Sequence, residues 1–367
     1  MQVSPEILNL VPYSPGKPIE ETQREYGLKT VFKLASNENP LGLSKKVKEV
    51  LQENLSEIYR YPDASCYNLR EKTSSYYQVP KEWLSFGNGS NEIIDLLIRV
   101  FCLPGDEILT SASAFIAYKI CAQVSRVGTH EVPMTADFCF NLDGMLAELE
   151  KNSEKIKLIF IANPNNPTGT YVNDSELRNF LEKTRKFKDT LVVLDEAYNE
   201  FVRATDYPQS VELMKEFEQL VVVRTFSKVF GLAGLRIGTL MARPEWVDLF
   251  NRIRNPFNVN SLAQVAAIAA MDDKSFLQES QKMNWQGLDY FSKVFTEANI
   301  PFLPSQANFL LIHCGVEAQP VFEGLLRKGV IVRPVGGYGL NQWLRVSVGN
   351  MQENEAAASA ILEQLES

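Results

Sequence analysis

The chain has 367 residues and a formal net charge of −8, from 37 lysines and arginines against 45 aspartates and glutamates. This acidic balance argues against general nucleic-acid binding, which needs a basic patch, while the length suits one large and one smaller domain. Five scattered cysteines without CxxC spacing and only two histidines disfavour a disulfide framework, a histidine-based triad and a metal site.

The first 35 residues show no clear hydrophobic period and contain Pro5, Pro12, Pro15 and Pro18. We expect residues 1–35 to form an N-terminal arm that lies on another surface and contributes to the smaller domain. The sequence lacks a signal-peptide pattern, and no apolar run reaches the roughly 18 residues that a membrane-spanning helix needs. We therefore expect a cytoplasmic protein with no membrane partner.

Residues 36–255 alternate short β-rich apolar runs with helix-like stretches. The runs are EILT, KLIFIA, TLVVLD, QLVVVR and RIGTLMA. Between two of them, NDSELRNFLEKTRKF has a cap at Asn173 or Asp174 and apolar residues at Leu177, Phe180 and Leu181, which predicts a helix with one buried face. The alternation is typical of βαβ units around a mostly parallel sheet that lies between helices.

The segment GNGSNEIIDLL follows the strand-like LSF and opens a helix. It lacks the third glycine of a dinucleotide-binding fingerprint. Backbone N–H groups at Ser90 and Asn91 would face an anion, as they do at helix N-termini, but an ordinary capped helix explains the segment equally well.

The run LVVLDEAYNEF ends a predicted strand at Asp195. Acidic residues at the carboxyl ends of parallel strands often face a ligand crevice. A nucleotide-hydrolase strand would also end in an acid, but its partner motif is missing, because the Gly16-Lys17 pair is followed by Pro18.

The stretch TFSKVFGLAGLRIG places Ser227 beside Lys228, with Arg236 eight residues after the lysine. A lysine amine can lose its proton and form a Schiff base with a carbonyl, which an arginine cannot do. Arginine instead supplies a fork of donors that matches a phosphate. Together they suit a cofactor with an aldehyde and a phosphate.

After about Asn255 the pattern changes. The helical stretches LAQVAAIAAM and NWQGLDYFSKVFTEA precede short strands NFLLIH, GVIVRP and WLRVSV. We therefore predict a large domain over residues 36–255 and a small α+β domain over residues 256–367.

The motifs NPNNPTGT, LDEAYNEF and TFSKVFGLAGLRIG resemble, in order and spacing, those of the fold-type I pyridoxal-phosphate-dependent aminotransferases of classes I and II. KLASNENPLGLS, YRYPD, GVIVRP and WLRVSVG narrow the resemblance to the histidinol-phosphate branch of that family. The resemblance implies an α/β fold, with a mostly parallel sheet that includes one antiparallel strand and a smaller α+β domain. It also implies pyridoxal 5′-phosphate as the cofactor.

The resemblance also implies roles for individual residues. Lys228 matches the lysine that bonds to the cofactor and then moves the substrate proton, and Asp195 matches the carboxylate that pairs with the pyridine nitrogen. Tyr198 and Asn166 match the residues that contact the ring oxygen. The other implied cofactor contacts are Phe115 on the ring and Ser227, Arg236, Ser90 and Asn91 around the phosphate.

Arg345 matches the arginine that binds the α-carboxylate of glutamate or 2-oxoglutarate, a task suited to its bidentate geometry. Arg333 and Tyr13 match positions at the phosphate end of histidinol phosphate. Tyr61, in YRYPD, matches a tyrosine that reaches the cofactor phosphate of a neighbouring subunit. A homodimer with shared active sites is therefore implied.

The implied activity is a transamination in histidine biosynthesis that interconverts L-histidinol phosphate plus 2-oxoglutarate and imidazole acetol phosphate plus L-glutamate. The alternatives are an aromatic amino-acid aminotransferase for phenylalanine or tyrosine and, more distantly, a phosphothreonine decarboxylase, both of which would use Lys228. A non-catalytic cofactor-binding module of the kind fused to DNA-binding domains is disfavoured, because the sequence shows no basic helix or extra domain.

Overall fold

The computed structural model describes residues 3–13 and 15–366. Its strands are β1 (Phe32–Lys33), β2 (Leu84–Gly87), β3 (Glu107–Ser111), β4 (Gly128–Val132), β5 (Ile156–Ala162), β6 (Leu191–Asp195), β7 (Leu220–Thr225), β8 (Gly238–Met241), β9 (Phe302–Leu303), β10 (Phe309–His313), β11 (Val330–Ile331), β12 (Arg333–Val335) and β13 (Leu340–Ser347).

The α-helices are α1 (Pro5–Leu8), α2 (Ile19–Tyr26), α3 (Lys45–Asn54), α4 (Tyr67–Tyr77), α5 (Ser90–Phe101), α6 (Ala117–Val124), α7 (Leu142–Asn152), α8 (Asp174–Thr184), α9 (Ser210–Glu216), α10 (Pro244–Ile253), α11 (Ser261–Met271), α12 (Lys274–Glu297), α13 (Ala318–Arg327) and α14 (Met351–Leu365). Short 3₁₀ segments cover Leu55–Glu57, Lys81–Trp83, Asn199–Phe201, Ala233–Leu235 and Gly336–Tyr338. Among the described residues, no helix is long and apolar enough to cross a membrane.

A sheet of seven strands, in the order β2-β8-β7-β6-β5-β3-β4, forms the centre of the part of the chain that the structure describes. Strand β8 runs antiparallel to its neighbours β2 and β7, and the other pairs are parallel. The predicted fold, a mostly parallel sheet with one antiparallel strand, is thereby confirmed. Strands β6 and β7 are buried along their whole length, as expected for a sheet covered on both faces.

Helix α8 shows how the local sequence determines where a helix begins and which face it buries. Asn173 is its N-cap and forms a capping box with Glu176, in which each side chain accepts a bond from the other residue's backbone N–H. Leu177, Phe180 and Leu181 are buried on one face. The prediction of a one-faced helix here is confirmed, with the cap at Asn173.

The C-terminal part contains a four-stranded antiparallel sheet in the order β12-β13-β10-β9. Its apolar side chains pack with residues of α12, α13 and α14. The prediction of a single strand over GVIVRP is wrong in detail. The segment forms two short strands with different partners, because β11 pairs with β1 and β12 pairs with β13.

Helix α11 buries its alanines against Val47, Phe226 and Phe230, beside the loop that carries Lys228.

The N-terminal arm contains two short helices that the sequence pattern did not indicate. Gln123 in α6 donates a hydrogen bond to the Glu6 carbonyl of α1 at 2.7 Å. Ile19 and Tyr26 of α2 pack with Leu326 and Ile331 of the C-terminal part. The arm therefore contacts both parts of the molecule, and it leads through β1 into the segment that borders the site.

Candidate active site

A cavity of about 270 Å³ lies where the carboxyl ends of β5, β6 and β7 meet the N-terminus of α5. Most of the residues that sequence reasoning selected line it together. They are Tyr13, Ser90, Asn91, Phe115, Asn166, Asp195, Tyr198, Ser227, Lys228, Arg236 and Arg345.

Lys228 lies just after β7, partly buried, with its amine inside this cavity. Its Nζ donates a hydrogen bond to the Ser36 carbonyl at 3.2 Å and lies 5.6 Å from the centre of the Tyr198 ring. Burial lowers the pKa of Lys228 from 10.5 to about 8, and the nearby charge of Arg345 acts in the same direction. This amine therefore loses its proton more readily than that of an ordinary lysine, and the unprotonated form is the one able to react.

Asp195 ends strand β6 and is only 4% exposed. One carboxylate oxygen accepts a bond from the Tyr118 hydroxyl at 2.8 Å, and the other accepts one from the Ala197 N–H at 3.2 Å. Burial raises the pKa of Asp195 to about 6, although both of these bonds act in the opposite direction. An incoming cation would relieve the unfavourable burial of this carboxylate.

The third component of the cavity is an anion cradle at the start of α5, a helix with no side-chain cap because its N-cap is Gly89. A Cβ added at Gly89 would lie 2.5 Å from Nη2 of Arg236, so the guanidinium packs directly over this turn. Nη1 of Arg236 donates to the Ser227 hydroxyl at 3.4 Å. Free helix N–H groups, a guanidinium and a hydroxyl together suit a phosphate.

Arg345 is a buried cation on β13, only 6% exposed. Its Nη1 donates to Oδ1 of Asn166 at 2.6 Å, and its Nη2 donates to the Ala35 carbonyl. Its Nε has no hydrogen-bond partner among the described residues. A buried donor without a partner suits an anionic ligand, because leaving it unpaired is costly.

Two aromatic side chains line the cavity that holds the reactive amine. Tyr198 is buried, and its oxygen accepts a bond from Nδ2 of Asn37 at 2.9 Å. Phe115 is partly exposed in the cavity, and its ring meets that of Tyr118 edge to face, with centroids 5.7 Å apart.

Two predicted residues lie apart from this cavity. Tyr61 is 83% exposed and stacks on Phe257, with ring centroids 4.7 Å apart. Arg333 lines a neighbouring open cleft of about 930 Å³, and its guanidinium lies 5.7 Å from the ring centre of Tyr13. Tyr13 lines both spaces and so connects the cleft to the cavity.

Sequence reasoning missed several residues that line the cavity or contact its lining. Tyr118 bonds the buried carboxylate, Ser36 accepts from the reactive amine, and Asn37 bonds the buried tyrosine. Tyr118 could have been noticed because it lies only three residues after Phe115, at the start of α6. Ser36 and Asn37 lie inside the quoted motif KLASNENPLGLS, but nothing local in that motif indicates which side chains they contact.

The residues present fit a ligand with an anionic group at α5, a carbonyl carbon near Lys228 and a basic nitrogen near Asp195. The chain matches the family model for aminotransferase class I and II over residues 29–361. It is 51% identical to a histidinol-phosphate aminotransferase of Bdellovibrio bacteriovorus, over 100% of this chain and 98% of that protein. It is 45% identical to histidinol-phosphate aminotransferase 1 of Idiomarina loihiensis, over 98% of this chain and 96% of that protein.

Among solved structures, the chain resembles a histidinol-phosphate aminotransferase from Sinorhizobium meliloti, which was crystallised in complex with pyridoxal-5′-phosphate. The TM-score is 0.91, at 25% sequence identity, over 100% of this chain and 98% of that one.

Proposed function

The chain belongs to the aminotransferase class I and II family, and from that premise we propose that it is the transaminase of histidinol phosphate in histidine biosynthesis. The reaction interconverts L-histidinol phosphate plus 2-oxoglutarate and imidazole acetol phosphate plus L-glutamate. The observation that carries the proposal is the convergence of a depressed-pKa lysine, a buried carboxylate, an anion cradle and a buried arginine on one cavity.

The cofactor is pyridoxal 5′-phosphate, whose protonated ring accepts the electron pair left behind when a proton leaves the substrate Cα. The free N–H groups at the start of α5, near Ser90 and Asn91, bind its phosphate together with Ser227 and Arg236. This cradle fixes one end of the cofactor, so the other groups of the site meet a ring in a defined orientation.

Asp195 holds a proton at the ring nitrogen. A carboxylate buried this deeply has little water to stabilise its charge, so a cationic N–H beside it is favoured over the neutral ring nitrogen. Tyr118 and the Ala197 N–H keep the carboxylate in place. Phe115 would lie against the ring, and Asn166 and Tyr198 would contact its oxygen.

Lys228 is the residue that moves the proton. With a pKa of about 8, its Nζ can accept a proton from the substrate Cα and return it on the cofactor side. In the cofactor-free chain this amine donates to the Ser36 carbonyl at the cavity wall.

Arg345 binds the α-carboxylate of glutamate or 2-oxoglutarate, using donors that Asn166 and Ala35 leave unsatisfied. Arg333 and Tyr13, at the junction of the cavity and the open cleft, bind the phosphate end of histidinol phosphate.

A homodimer belongs to this proposal. The exposed Tyr61–Phe257 pair lies outside the cavity of its own chain, and such an aromatic surface suits a second copy, to whose cofactor Tyr61 contributes. A cytoplasmic location is part of the proposal too, and cell fractionation would test it.

The decisive experiment is amino transfer to 2-oxoglutarate from a panel of donors containing histidinol phosphate, phenylalanine, tyrosine and phosphothreonine. We expect histidinol phosphate to give the highest kcat/KM and Lys228→Ala to abolish transfer. Preference for phenylalanine or tyrosine would instead identify an aromatic aminotransferase. Release of carbon dioxide from phosphothreonine without need for 2-oxoglutarate would identify a decarboxylase.

A further inference from the structure

Asn37 is a buried residue that joins the two sides of the cavity. It is 1% exposed and has a φ of 55°, a left-handed conformation that asparagine adopts more readily than most residues. Its side chain reaches Tyr198 on one side and Ser347 of β13 on the other. Its carbonyl accepts a bond from Nδ2 of Asn308 at 3.0 Å.

Two hydrogen bonds between Asn37 and Ser347 determine whether Nδ2 or Oδ1 of the Asn37 amide faces Tyr198. The Asn37 N–H donates to Oγ of Ser347 at 3.0 Å, and this hydroxyl in turn donates to Oδ1 of Asn37 at 2.6 Å. If the amide were flipped, Nδ2 would face Oγ of Ser347, and the hydroxyl hydrogen would lose its bond to Oδ1. Nδ2 therefore faces Tyr198 and donates to its oxygen.

This orientation decides what the Tyr198 hydroxyl can do. Its oxygen accepts from Asn37, so its own hydrogen is not used in that bond and is available to the cavity. Burial raises the pKa of Tyr198 to about 12, so the hydrogen is retained at neutral pH.

We propose that Asn37 is a positioning residue that keeps the Tyr198 hydroxyl as a donor toward the ring oxygen of the cofactor, and that Ser347 locks Asn37 in this orientation. The inference rests on the proposed function, because it concerns the same cofactor. The Asn37–Ser347 pair also lies beside the proposed carboxylate-binding residue, Arg345. Ser347 lies two residues after Arg345 on β13, and Arg345 donates to the carbonyl of Ala35, two residues before Asn37.

The test is a double-mutant cycle between Asn37→Gly and Tyr198→Phe, with two readouts that do not depend on turnover. These are the dissociation constant for pyridoxal 5′-phosphate and the pH midpoint of the absorbance of the bound cofactor. Glycine tolerates the left-handed backbone, so the variant removes the donor without backbone strain. Asn299→Gly makes the same substitution at an exposed residue with φ 56° and serves as the control.

We expect Asn37→Gly to weaken cofactor binding about fivefold, which corresponds to one hydrogen bond, and to move the absorbance midpoint to higher pH. Without Asn37 the Tyr198 hydroxyl is no longer held as a donor to the ring oxygen. The negative charge on that oxygen is then less favourable, so the absorbance midpoint moves to higher pH. In the Tyr198→Phe background the same substitution should change either readout less than twofold.

Effects of Asn37→Gly that are equally large with and without the Tyr198 hydroxyl would overturn the proposal, since they would mean that Asn37 acts only on the fold. If Asn37→Gly does not fold, Ser347→Ala takes its place in the cycle under the same criterion. Failure of the wild-type protein to bind the cofactor at all would instead refute the proposed function.

Discussion

Replacing Asp195 by asparagine should change the stability of the cofactor-free protein, compared with that of wild type, more favourably at pH 8 than at pH 5. Burial raises the pKa of this carboxyl from 3.8 to about 6, so the folded state binds its proton more tightly than the unfolded state. A raised folded-state pKa for an acid means that stability falls as pH rises between the two pKa values. Wild-type protein suffers this loss, and the Asp195→Asn variant does not.

The magnitude follows from the size of the shift. About two pKa units correspond to about 3 kcal/mol at pH 8, at about 1.4 kcal/mol for each unit. About half of that difference is already present at pH 5, so the stability of the variant relative to wild type should improve by about 1.4 kcal/mol between pH 5 and pH 8. Any hydrogen bond lost to Tyr118 or to the Ala197 N–H is common to both pH values and cancels.

The assay is urea unfolding of cofactor-free wild type and Asp195→Asn at both pH values, with the exposed Asp137→Asn as a control for removing a carboxylate. We expect the difference from wild type to change with pH for Asp195→Asn and to stay constant for Asp137→Asn. A difference that is independent of pH for Asp195→Asn would refute the inference that the buried carboxylate is held at an energetic cost until the cofactor binds.

Two further predictions concern the same cavity, and a third concerns the proposed dimer. In cofactor-free protein, the Lys228 amine should react with an acylating reagent with a pH midpoint near 8, measured by mass spectrometry of the modified peptide; a midpoint near 10.5 would contradict the depressed pKa. Gly89→Ala should weaken cofactor binding at least tenfold in a titration, because Gly89 has a φ of 81° and the new Cβ would lie 2.5 Å from Arg236. Gly234→Ala, whose new Cβ would meet open space, should bind the cofactor normally in the same titration. Tyr61→Asp should shift sedimentation from dimer to monomer, and an unchanged dimer would place the interface elsewhere.

The central elements could be predicted because their signals are local. Strands β6 and β7 are continuous apolar runs, and α8 carries its own capping box. Strand β4, GTHEV, gave no such signal, because it is an edge strand whose side chains are mostly not buried. Helix α12 begins at Lys274, ten residues before the predicted stretch, because Asp273 caps a polar first turn.

Sequence motifs pointed to Lys228 and Asp195, and both residues line the cavity. The contacts that orient those groups could not be predicted, because they join distant parts of the chain. Asn37 bonds a tyrosine 161 positions away and a serine 310 positions away. No periodicity or spacing in one sequence reveals such pairs, since they depend on how the segment that follows β1 crosses between Tyr198 and β13.

That crossing has a consequence for how the protein is made. The N–H of Leu34 donates to the carbonyl of Ile331, and the carbonyl of Leu34 accepts from the N–H of Ser347, so the segment beside Lys228 is held by strands near the opposite end of the chain. During synthesis on the ribosome, Ser36 and Asn37 emerge early, but their site lacks Arg345 and Ser347 until β13 has followed. The complete cavity, into which the cofactor loads, therefore exists only once β13 has been synthesised.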